Sequence, residues 1–348
     1  MGLTTSIEPF YLLSANSQDI TDIIRERFVS LTMTDETGNT SDMLEIVLAD
    51  HIPEQPIQKP PRGALLQLSL GYDGVGNGMG SFIVDEIDLV GPPERMVIRA
   101  RAAAYDQNNG GAFHLQTQKI RSWAAGTTIG AMVRKIATEH GMTGLVAASL
   151  SSITLPHVDQ QDESDLNLLL RIAKKYDAVV KPAGAKLVMA KRGDFKSVSG
   201  QSLPAVTIQK MDCTEWHYTE QARESAGSVV AYYHATKQAK RHIVTVGSGE
   251  PVRRIKQYFP TQAEAVAAAK AELAKRTRAM LKMSITLPGR ADLAAEAEVT
   301  LQGFRAGIPS TWIATRVEHS IDGRGYVCAV DLEQPNAGQQ NDVDDAAN

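Results

Sequence analysis

The chain has 348 residues, which at roughly 100–200 residues per domain points to two or three folded units. Hydrophobic residues make up 43% and charged residues 22%, ordinary globular usage that excludes a wholly disordered, collagen-like or coiled-coil chain. The 36 Lys and Arg stand against 40 Asp and Glu, a net charge of −4, so the chain as a whole has no attraction for phosphate backbones and a nucleic-acid role would need a local patch.

The N-terminal sequence MGLTTSIEPF lacks a basic region followed by a long apolar run, and no stretch approaches the ~18–20 apolar residues of a membrane helix. Neither secretion nor a membrane anchor is expected. Val29, Leu31 and Met33 alternate with Ser30, Thr32 and Thr34, and Leu66, Leu68 and Leu70 alternate with Gln67 and Ser69, the period-2 pattern of half-buried strands. The Gly-rich stretch from Gly71 to Gly80 (GYDGVGNGMG) lacks the ending of a phosphate loop and precedes a strand rather than a helix, so a flexible hairpin loop is expected there. Two more strands, from about Phe82 to Leu89 and from Met96 to Ala102, flank Gly91-Pro92-Pro93-Glu94-Arg95, whose prolines lack the N–H a ladder needs.

From about residue 106 the period changes to helical. Thr127 or Thr128 can cap a helix carrying Ile129, Met132, Val133 and Ile136 and ending at Gly141. A second helix follows Ser164, with Leu166, Leu169, Leu170, Ala173 and Tyr176 as its expected buried stripe. Asp162, Glu163 and Asp165 surround its start, where carboxylates complement the helix dipole. Strands return after residue 205, around Ser228 to Tyr233 and Ile243 to Val246. Thr261 and Glu264 then read as a capping box opening an Ala-rich helix with Val266, Leu273 and Met280. A closing hairpin turns at Asp322-Gly323-Arg324-Gly325, with Ile313, Thr315, Val317 and Ile321 before it and Tyr326, Cys328, Val330 and Leu332 after it.

The expected fold is therefore β-rich α+β. Two β-barrel domains, about 1–105 and 205–335 with an inserted helix in the second, flank a small α+β domain over about 106–204. The acidic segment 336–348 is expected to be disordered.

Candidate chemistry is sparse. His157, Asp159, Asp162, Glu163 and Asp165 are the densest potential cation ligands but lack EF-hand spacing. Cys213 and His217 are four apart without the further ligands structural zinc requires, so a packed thiol and a hydrogen-bonded imidazole are the better reading. Cys328 reads as core. Two cysteines permit at most one disulfide. Asp85 and Glu86 are the type of carboxylate pair a glycosidase uses, but their presence alone says little. Lys237, Lys240, Arg241 and His242 form a modest basic run without the aromatic interleaving of single-strand binders. Arg192-Gly193-Asp194 reads as a turn. No nucleophile elbow or zinc-protease motif occurs. No catalytic residue, metal ligand or cofactor is assigned.

Three segments carry a resemblance: Ser81 to Asp106 (SFIVDEIDLVGPPERMVIRARAAAYD), Leu155 to Gly193 (LPHVDQQDESDLNLLLRIAKKYDAVVKPAGAKLVMAKRG) and Trp312 to Leu332 (WIATRVEHSIDGRGYVCAVDL). Together they resemble the late control D family, the baseplate hub proteins of P2-like contractile phage tails and R-type pyocins. Gln161, Glu163, Ser164, Asp165 and Leu170-Arg171 match that family's helix-starting pattern. Leu169 or Leu170 stands where many relatives carry Phe, and Asp177 where many carry Gly.

The resemblance implies a structural homotrimer in which each chain supplies two tail-tube-type barrels, adapting a sixfold tube to a threefold central spike. Implied partners are the spike, the tail tube protein, the tape-measure protein and baseplate wedge proteins, with at most non-specific passage of DNA. The implied location is the tail baseplate of a virion or pyocin, assembled in the bacterial cytoplasm. An alternative is a peptidoglycan-directed tail protein, because Thr127 to Gly141 vaguely resembles a LysM helix.

Overall fold

Alternating apolar residues build the first β region: β1 (Pro9–Ala15), β2 (Gln18–Asp19), helix α1 (Thr21–Arg25), β3 (Phe28–Glu36), β4 (Met43–Ala49), β5 (Leu65–Tyr72), β6 (Val75–Val90) and β7 (Arg95–Ala102). The structure is a computed structural model that describes residues 7–37, 42–52, 54–102, 115–183, 186–192, 205–221, 227–234, 241–335 and 343–344. Leu66, Leu68, Leu70, Met96, Ile98 and Ala100 are buried as the period requires. Val29 is not: the β3–β4 register shifts between Phe28 and Ser30, and Val29 is left exposed beside buried Leu31 and Met33.

The Gly-rich stretch is strand rather than loop. Only Asp73 and Gly74 turn the chain, and Gly76 pairs with Gly71 while Gly78 pairs with Ser69 across a hairpin whose register shifts at Met79. Gly71 allows this because a Cβ there would meet the Val75 carbonyl oxygen at 1.9 Å.

The middle region contains β8 (Gln118–Trp123), α2 (Ile129–Glu139), β9 (Thr143–Val146), α3 (Ala148–Ser151), β10 (Val158–Ser164), α4 (Asp165–Lys175), β11 (Ala178–Ala183) and β12 (Lys186–Lys191). The Thr128 hydroxyl accepts from Ala131 N at 3.1 Å and the Ser164 hydroxyl from Asn167 N at 3.2 Å, so both expected caps form. The α4 stripe is rotated from expectation: Leu168, Leu169, Ile172 and Ala173 are buried, while Leu166, Leu170 and Tyr176 pack at its margin.

The last region contains β13 (Val206–Gln209), β14 (Glu215–Glu220), β15 (Ser228–His234), β16 (Arg241–Gly247), β17 (Val252–Phe259), α5 (Gln262–Met280), β18 (Leu281–Pro288), β19 (Glu298–Gln302), β20 (Thr311–Asp322) and β21 (Gly325–Glu333). The expected hairpin is β20–β21, closed at Asp322↔Gly325. A bulge between Ala314 and Arg316 switches the stripe that faces the main core from Trp312 and Ala314 to Val317 and Ile321, so Ile313, although buried, and Thr315 both fall outside it.

The first and last β regions share one 13-stranded sheet, ordered β14-β18-β21-β20-β3-β4-β7-β6-β5-β1-β2, with β19 joined to β20 and β13 to β19. The antiparallel β3–β20 ladder, Leu31↔Ile321 to Glu36↔Arg316, is the seam, and a single apolar core runs beneath both regions. The helix within the last region brings its own sheet. Strands β17, β15 and β16 pack on α5 around a separate small core of Val229, Ala231, Val244, Val246 and Leu273.

Beyond Pro335 only Val343–Asp344 is described, as a short strand β22 on the edge of β16. The rest of the segment expected to be disordered, together with Lys237, Lys240, Gly193 and Asp194, lies outside the described residues.

Candidate interaction surfaces

Several of the residues with candidate chemistry are committed to structural contacts. Arg99, at the centre of three adjacent strands, holds Glu45 at 2.8 Å, Glu86 at 3.0 Å and Asp88 at 2.7 Å, and Arg101 holds Asp85 at 2.7 Å. Asp85 and Glu86 therefore sit in an ionic row across β4, β7 and β6. The acidic stretch separates likewise: Asp159 bonds His157 at 2.9 Å, and Glu163 takes Arg171 in a two-point grip of 3.0 and 2.7 Å. Among the described residues no group of three or more His, Cys, Asp or Glu could hold a metal ion.

Asp165 does more than complement a helix dipole. It is buried, and its carboxylate accepts from Lys119 Nζ at 2.6 Å, Gln160 Nε2 at 2.8 Å and Arg121, and contacts His140 Nε2 at 2.8 Å. Burial pushes its pKa up, but the Lys119, Gln160 and His140 hydrogen bonds and the Arg121 charge outweigh that and hold it at about 2. Arg121 also lies 4.5 Å from the Trp123 ring centroid, tying the network to the middle core. Spacing alone could not reveal this centre, because Lys119, Arg121 and His140 lie 25 to 46 residues away.

The Cys213 thiol donates to the Gln209 carbonyl at 3.4 Å and His217 is exposed on β14. Cys328 is buried beside His319 Nδ1 at 3.2 Å. Burial pushes the Cys328 thiol up to about 11 and the His319 imidazole down to about 4, so neither is charged at neutral pH. The helix that vaguely resembles LysM buries Ile129, Met132, Val133 and Ile136 in the middle core.

A cleft of about 410 Å³ lies where β11 and β12 of the middle region meet the β body, lined by Met33, Met79, Phe82, Val179 and Val188 among others. Lys181 crosses it, 3.0 Å from Asp35 and 2.7 Å from Asp42, with Glu296 on the same wall. Burial and then the Asp35 charge push Asp42 up to about 6 against the pull of Lys181, and burial raises Glu296. This cluster joins the middle region to the β body.

The large sheet is open. Among the described residues β14 at one end and β1–β2 at the other have no further strand beside them. Apolar side chains are exposed near both ends: Trp216 and Met211 by β14, and Ile7, Leu12 and Ile23 by β1 and α1. Trp216 meets Phe304 edge-on at 5.6 Å, with Lys210 Nζ 5.6 Å from its ring centroid. Uncovered edges with apolar flanks mark places where another chain can pair. Among the described residues no helix is long and apolar enough to cross a membrane.

The chain is 32% identical to the probable baseplate hub protein of Escherichia phage 186 and 31% identical to that of Escherichia phage P2, in each case over 94% of both chains. Its fold matches the 43 kDa tail protein of prophage MuSo2 from Shewanella oneidensis, with a TM-score of 0.71 at 12% identity, covering 96% of this chain and 100% of that one. The model of the phage tail baseplate hub (GPD) family matches residues 84–324. The chain, with its β-rich body and inserted α+β region, belongs to the phage tail baseplate hub family.

Proposed function

We propose that this chain is the non-enzymatic structural hub of a contractile tail, in a phage or an R-type pyocin, and that it works as a homotrimer joining a sixfold tail tube to a threefold central spike. The observation that carries the reading is the open sheet with its two uncovered ends. If β14 of one copy meets the β1–β2 end of the next, the contact is heterologous, and such contacts generate a closed ring when their rotation closes. If each β region supplies one tube-type unit, three chains present six related units to the tube while the assembly stays threefold for the spike. The tube, spike, tape-measure and wedge proteins are the partners this role requires, and the particle baseplate, assembled in the bacterial cytoplasm, is its place. The non-enzymatic part rests on the two relatives, both described as probable baseplate hub proteins.

Co-expression with the spike protein of the same particle, followed by light scattering and electron microscopy, tests the proposal. A 3:3 particle with threefold symmetry is expected. A stable 1:1 complex, or hub density lying off the tube axis, overturns it.

A further inference from the structure

The small sheet of β17, β15 and β16 has two unlike faces, and α5 packs on only one of them. Side chains alternate along a strand, so Val229 and Ala231 point into the α5 core while Tyr232 points the other way. Its partners across the ladders, Ile243 on β16 and Tyr258 on β17, share that outer face, where they are 39% and 47% exposed.

Tyr232 is buried at the centre of this face by two arginines. The Arg241 guanidinium, from β16, lies 3.9 Å from the ring centroid, and Arg254, from β17, donates to the hydroxyl at 3.1 Å. One phenol thus gathers two like charges from opposite sides of β15. Elsewhere Arg99, Arg171 and Arg278 each hold a carboxylate. Among the described residues neither Arg241 nor Arg254 does, and the strands SVVAYYH, RHIVTVG and VRRIKQYF contain no Asp or Glu. Glu250, just ahead of β17, accepts from the Val252 N–H instead. The pair therefore keeps guanidinium donors in reserve, in the planar fork geometry that suits a carboxylate.

Two further observations select the kind of anion. The rings that could stack nucleobases are already engaged: Tyr232 lies under Arg241, and Tyr258 stacks on His234 at 4.9 Å. Exposed Ile243 and Tyr258 flank the arginines with apolar surface, which an amphipathic peptide can cover and a sugar-phosphate backbone cannot.

We propose that the outer face of β15 to β17 is a docking surface for an extended acidic segment of a partner protein. Its carboxylates take the Arg241 and Arg254 guanidiniums, and its apolar side chains cover Ile243 and Tyr258. The inference does not depend on the hub reading, since it needs neither a ring nor a spike.

Fluorescence anisotropy with a labelled peptide of repeated Glu-Glu-Leu, about twelve residues long, tests it on the full chain. The corresponding Gln-Gln-Leu peptide and a thymidine oligonucleotide of the same length are measured beside it. The acidic peptide should bind about tenfold more tightly than its glutamine counterpart at low salt. That preference should vanish in the Arg241→Gln, Arg254→Gln double variant. Ile243→Glu, a change at an exposed position, should abolish it as well by placing a carboxylate beside Arg241, and it decides the matter if the double variant does not fold. Equal affinity for the two peptides overturns the proposal, as does a preference that either folded variant leaves unchanged. Tighter binding of the oligonucleotide than of the acidic peptide also overturns it, because the face would then recognise phosphate.

Discussion

Arg278, at the end of α5 and with only 2% of its side chain exposed, grips the Asp177 carboxylate through two hydrogen bonds of 2.7 and 2.6 Å. Asp177 itself sits at φ 51°, in the left-handed region that favours glycine and tolerates Asp. An aspartate here therefore permits the α4–β11 turn and adds an anchor between the middle region and α5. Asp177→Gly should keep the turn but leave the Arg278 charge without this carboxylate, costing about 3 kcal/mol. Asp177→Asn should cost less. Urea midpoints of the two variants check the order.

Asp165 gives the middle region an acid-sensitive centre. Its folded pKa of about 2 lies below the ordinary 3.8, so its contribution is fully present above about pH 4 and is lost as pH falls towards 2. A shift of that size corresponds to roughly 2 kcal/mol. Asp165→Asn should lower stability at pH 7 by about 3 kcal/mol and remove this part of the acid dependence, read from thermal unfolding between pH 2 and 7.

Asp42 behaves oppositely. Its folded pKa of about 6 is above its ordinary 3.8, so ionisation is penalised in the folded state and stability is lost as pH rises from about 4 through 6. On raising the pH from 4 to 7, the stability of Asp42→Asn relative to the parent should improve by up to about 3 kcal/mol. Parallel denaturation curves at the two pH values measure this difference.

Gly71→Ala should disrupt the β5–β6 hairpin, because the new methyl would overlap the Val75 carbonyl, which belongs to the backbone and cannot rotate away. A loss of about 3 kcal/mol or more is expected, visible as a lowered melting temperature.

The two thiols should be distinguishable by alkylation. Cys213 is partly exposed and Cys328 is buried with its thiol pushed up to about 11. The native protein should take up one equivalent of maleimide, at Cys213, and the second only in denaturant. Mass spectrometry of the labelled peptides identifies the site.

Period and caps in the sequence were enough to place the alternating strands, the helices opened by Thr128, Ser164 and Thr261, and the Asp322–Gly325 turn, because each is specified within a few residues of chain. The three hub-like segments were legible through their resemblance to the family. Local pattern could not decide what depends on long-range pairing. The β3–β20 seam joins residues almost 300 positions apart into one sheet. The bulges at Val29 and Thr315 redirect side chains that strict alternation would misplace. Asp165, Lys181 and Arg278 gained their roles only when folding brought distant partners to a desolvated site, where hydrogen bonds and charge outweigh sequence neighbourhood. The aromatic and cationic face of β15 to β17 is decided the same way, since its tyrosines and arginines meet only after the strands align.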